Sequence, residues 1–65
     1  MATNQTNDYL VNKLLDLGAK YANWYRVYDP DLIVFQVKAP QELQDKIERT
    51  VGWNFPGEDY LIKYL

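Results

Sequence analysis

The sequence predicts a small α+β domain with its elements in the order α-β-β-α-β. Three observations predict it: leucines at helical spacing between residues 10 and 17, two alternating runs on either side of Asp29-Pro30-Asp31, and a second helical stripe after Pro40. The expected architecture is a two- or three-stranded sheet with a central hairpin at about 22–38, packed by helices at about 7–18 and 40–51.

Residues 1–6 are polar and aperiodic and are expected as a disordered tail, which leaves 7–65 as a single domain. The first helix is expected to start at Thr6 or Asn7, since either side chain can accept from the free amides of a first turn. Leu10, Leu14 and Leu17 then recur at i, i+4 and i+7, with Val11 and Leu15 widening the stripe. Gly18 follows where a left-handed residue would stop the helix.

The stretch from Asn23 to Val37, NWYRVYDPDLIVFQV, reads as two strands joined by turn chemistry: proline fixes φ, and aspartate bonds nearby amides. Taking Asp29-Pro30-Asp31 as a three-residue turn sets Tyr28 opposite Leu32, Arg26 opposite Val34 and Trp24 opposite Gln36. Alternation then gives one face with Tyr25, Val27, Ile33, Phe35 and Val37, and another with Trp24, Arg26, Tyr28, Leu32, Val34 and Gln36. The first contains no charge and is the expected core face.

Pro40 fits the first position of a helix, and Glu42 lies near the positive end of its dipole. Leu43, Ile47 and Val51 form the buried stripe, while Glu42–Lys46 and Asp45–Arg49 offer i, i+4 ion pairs. Gly52 is expected to end this helix, with Trp53 folding back on Ile47. Pro56-Gly57 suits a type II turn. The last segment, YLIKYL, has both a strand reading and a helix reading; a third strand is preferred because it makes a lone hairpin viable.

The residue inventory excludes more than it suggests. The chain has no Cys, His or Ser, so disulfides, thiolate or imidazole metal ligands, and Ser or Cys nucleophiles paired with a His base are all absent. Asp29 with Asp31, and Glu58 with Asp59, read as turn acids and not as a catalytic pair. The isolated glycines form no phosphate loop, and no run of alternating oxygen ligands suggests calcium. The expectation is a protein that is not an enzyme and carries no cofactor or metal.

Net charge is −2, from seven Lys and Arg against nine Asp and Glu, interleaved without a basic run, which argues against nucleic acid. With no secretory leader and no apolar run of membrane-spanning length, the chain is expected to be cytoplasmic.

Aromatics are the positive signal: two Trp, six Tyr and two Phe in 65 residues. Each ring can bury roughly 150–250 Å², so many must serve the core. Trp24, Arg26 and Tyr28, with Leu32 and Val34 beside them and the C-terminal Tyr60 and Tyr64, form the candidate binding set, since Trp, Tyr and Arg dominate interface hot spots. That face has three conceivable covers: a helix in a three-layer domain, a second copy of the chain in a homodimer, or a partner macromolecule. The expected function is a non-catalytic protein-interaction module, an adaptor, regulator or inhibitor of a larger protein. The alternatives are a single-stranded nucleic-acid binder that uses the same rings, and a small structural subunit of a larger complex.

Overall fold

A computed structural model describes the backbone of residues 2–54 and 60–65 and the side chains of 7–54 and 60–65. The element order is that expected: α1 (Ala2–Leu17), β1 (Tyr21–Tyr28), β2 (Asp31–Lys38), α2 (Gln41–Asn54) and β3 (Tyr60–Tyr64). The sheet is three-stranded in the order β1-β2-β3. β1 pairs antiparallel to β2, and β3 pairs parallel to it. Two parallel strands require a crossover, and α2 supplies it.

α1 begins at Ala2, ahead of the expected start at Thr6 or Asn7; no Gly or Pro interrupts these residues, and Asn7 is buried inside the helix instead of capping it. Its other end is as expected. Gly18 has φ of 122°, its N–H donates to the Leu15 carbonyl at 3.0 Å, and Ala19 N–H donates to the Leu14 carbonyl at 3.1 Å. That pair of bonds is a Schellman motif, which satisfies carbonyls left open at a helix end.

α2 departs from expectation at its end. It runs through Gly52 to Asn54, so Gly52 is not a cap and Trp53 points outward instead of folding onto Ile47. Gly52 has another reason to be small: a Cβ there would come within 3.1 Å of the Tyr60 hydroxyl, so its absence lets β3 pack against the helix. The expected turn at Pro56-Gly57 and the Glu58-Asp59 pair lie outside the described residues.

Leu10, Leu14, Phe35, Val37, Ile47 and Val51 are fully buried in one cluster, to which Trp24, Ile33, Ile62 and Tyr64 pack. Residues of both helices and of one sheet face share this cluster. Both helices therefore cover the same face, and the domain has two layers rather than three.

Tyr64 ties β3 to α2. Its hydroxyl lies 3.3 Å from the Gln44 carbonyl oxygen and donates to Glu48 Oε2 at 3.1 Å. Burial, then the bond to Glu48 and the negative charges of Glu48 and Asp45, push its pKa from the usual 10.0 to about 12. As pH rises, the unfolded chain gives up this proton first, so folding stability is lost across the interval from about 10 to about 12. Urea melts between pH 9 and 12 are expected to show a steeper alkaline decline for the wild type than for Tyr64→Phe. Parallel curves would contradict this placement of the hydroxyl.

Candidate functional site

The hairpin register decides which side chains can form a site. The turn uses two residues, Asp29 and Pro30, joined by a cis peptide, and pairs Tyr28 with Asp31, Arg26 with Ile33 and Trp24 with Phe35. The three-residue turn expected from the sequence is one residue too long. A slip of one leaves the faces of β2 as expected and reverses those of β1 relative to it. Asp31 becomes a strand residue, held by Arg26, whose Nε donates to Oδ1 at 3.2 Å and whose Nη2 donates to Oδ2 at 3.3 Å.

The candidate set is accordingly divided. Trp24 lies on the helix side, packed on the core, and its indole Nε1–H donates to Asp8 Oδ1 at 2.9 Å, pinning α1 to β1. Arg26 pairs with Asp31 and stacks on the Tyr28 ring at 5.3 Å instead of lying between two rings. Tyr28 is 79% exposed at the hairpin end. Tyr60 and Tyr64 also face the helices. Of the expected set, Leu32 and Val34 alone belong to the opposite, uncovered face, so the patch joining Trp24, Arg26 and Tyr28 to Leu32 and Val34 does not form.

Another patch takes its place. Pairing sets the outward side chains of the open face in rows across the sheet: Tyr21 beside Lys38, then Asn23, Gln36 and Lys63, then Tyr25, Val34 and Leu61, and finally Val27 beside Leu32. Leu65 extends the first row, its N–H donating to the Val37 carbonyl at 2.8 Å. Val34 is only 2% exposed although neither α1 nor α2 packs on its side of the sheet; Tyr25 (41% exposed) and Leu61 (52%) flank it. Their exposed surfaces make an apolar platform. Lys38 and Lys63 border it, and among the described residues no Asp or Glu side chain lies on this face.

Of this face the expected set held Leu32 and Val34 alone; Leu61, Lys63 and Leu65 were missed, although a strand reading of the last segment already alternates them away from Tyr60 and Tyr64. Tyr21, Tyr25 and Val27 were missed because their side depends on turn length. A signal for the shorter turn was present: only that register sets Arg26 diagonally across from Asp31, within reach of an opposite charge.

Among the described residues no helix is long and apolar enough to cross a membrane. The chain matches no family model, no curated protein and no solved structure.

Proposed function

We propose that the protein is a non-catalytic interaction module, an adaptor, regulator or inhibitor, whose open sheet face docks on a larger protein. The observation that carries this reading is the platform of Tyr25, Val34 and Leu61 on the face the helices leave uncovered. A contiguous apolar patch rimmed by polar groups is the usual mark of a protein contact. The residue inventory, with no Ser, His or Cys, favours binding over catalysis.

Charge bears on the kind of partner. Face-to-face pairing of two copies would gather Lys38 and Lys63 from both chains with no Asp or Glu side chain of that face, among the described residues, to meet them. A different protein, bearing an apolar patch edged by acids, avoids that cost. The same lysines beside Tyr21 and Tyr25 favour, as a second reading, a single strand of nucleic acid stacked on the rings.

The test is affinity capture from the native source with wild type and with Tyr25→Ser/Leu61→Ser. Hot-spot truncations cost about 2 kcal/mol or more each, so the double variant is expected to lose a captured protein by well over roughly 30-fold while keeping its native circular dichroism. Retention of that protein by the variant would defeat the reading. Tighter binding of a short oligonucleotide at low salt, lost in the same variant, would replace it with the second.

A further inference from the structure

The helix layer carries a second surface of this acidic molecule where cations and aromatic rings gather. Gly18, at the end of α1, meets Leu43 near the start of α2, while Tyr9 and Trp53 line one groove, so the helices run antiparallel. That groove, an open trough of about 500 Å³ between their outer sides, is lined by Tyr9 and Lys13 from α1 and by Lys46, Arg49 and Trp53 among others from α2. Spacings of i, i+4 on α1 and i, i+3, i+7 on α2 bring these groups together. Three of the seven cations of the chain, Lys13, Lys46 and Arg49, meet here, and none of the described lining residues is a carboxylate. Among the described residues, the pairs Glu42–Lys46 and Asp45–Arg49 expected from the sequence do not close to ion-pair distance. Lys13 Nζ lies 5.6 Å from the Tyr9 ring centre, and Trp53 is 86% exposed.

We propose that this groove takes a short acidic segment of a partner protein. An apolar side chain of that segment lies on Trp53 and Tyr9, and its carboxylates meet Lys13, Lys46 and Arg49. Trp, Tyr and Arg, the residue types most enriched at binding hot spots, are all present. The shape selects against a small ligand, because pockets for such molecules enclose most of the ligand surface and this trough is open. Length and charge select against a nucleic-acid strand. Lys46 to Trp53 spans about 10 Å along the helix, enough for roughly three extended residues. One turn beyond, Asp16 and Glu42 continue the same stripes, so a longer polyanion would run onto carboxylates. This site is on the opposite layer from the sheet platform and does not depend on it.

The experiment is a titration of the ¹⁵N-labelled protein at low salt with an acetylated, amidated peptide of glutamates around one central leucine. Matched titrations use a lysine peptide of the same length, ATP and an oligothymidylate. The expected result is salt-sensitive shifts of the Trp53 indole N–H and of the Lys13, Lys46 and Arg49 amides with the acidic peptide, weakened at least tenfold in Lys46→Glu/Arg49→Glu. Trp53→Ala, which alters an exposed ring, gives the same reading without charge reversal. Absence of shifts at these groups at millimolar peptide, binding by Lys46→Glu/Arg49→Glu and by Trp53→Ala equal to wild type, or tighter binding of ATP or the oligonucleotide to the groove would each overturn the proposal. Shifts confined to Tyr25 and Leu61 would do so too, while leaving the sheet platform standing.

Discussion

Phe35→Ala is expected to leave the chain largely unfolded at room temperature. Phe35 is fully buried in the central strand, opposite Trp24 on β1 and beside Ile62 on β3, within the cluster of Leu10, Leu14, Ile47 and Val51. Truncating a buried Phe to Ala costs about 3–5 kcal/mol, through lost transfer energy and the cavity left behind. A domain of this length has about 3–10 kcal/mol of total stability, so the loss is comparable with the whole. Urea unfolding followed by far-ultraviolet circular dichroism measures it. A midpoint close to wild type would mean that Phe35 does not anchor the interior and that the two-layer arrangement is wrong.

Gly18→Ala is expected to destabilise the domain by about 2 kcal/mol, since a side chain at positive φ costs about 1–3 kcal/mol. At φ of 122° an added Cβ would also approach Leu43 Cδ1 to 3.0 Å, where α1 meets α2. The comparison that gives this result meaning is Gly52→Ala. Gly52 lies inside α2 without a positive φ, so alanine gains about 1 kcal/mol of helix propensity there, opposed by the 3.1 Å approach to the Tyr60 hydroxyl. Gly52→Ala is therefore expected to stay within about 1 kcal/mol of wild type. Equal losses at the two glycines would show that conformation is not what distinguishes them.

The two glycines also mark where the sequence could be read and where it could not. Gly18 follows a leucine stripe and precedes a change of period, so its role as a helix stop is a local fact. Gly52 has the same appearance after Leu43, Ile47 and Val51, yet the helix continues, because the reason for glycine there is Tyr60 on a distant strand. The expected cap by Thr6 or Asn7 fails in a similar way: capping chemistry is present, but nothing in the preceding residues stops the helix. The hairpin is the most consequential case. Asp29-Pro30-Asp31 has the chemistry of a two-residue and of a three-residue turn alike, and the parity of β1 depends on which forms.

What the sequence determined by itself is the kind and order of the first four elements, because helical and strand periods are imposed by the covalent geometry of each segment; YLIKYL fits either period, and its pairing with β2 makes it a strand. It also determined the inward side of β2, where Ile33, Phe35 and Val37 are apolar and uncharged in either register. Tertiary structure decided everything that relates one segment to another. The two-residue turn turned Trp24 toward the helices and Tyr25 away from them. The α2 crossover made β3 parallel to β2 and set both helices on one side, uncovering Val34 and Leu61. The antiparallel helices brought Lys13 beside Lys46 and Arg49. Each of these relations depends on chain closure between residues far apart, and a local period of 2 or 3.6 fixes which residues share a side without fixing which side meets the core.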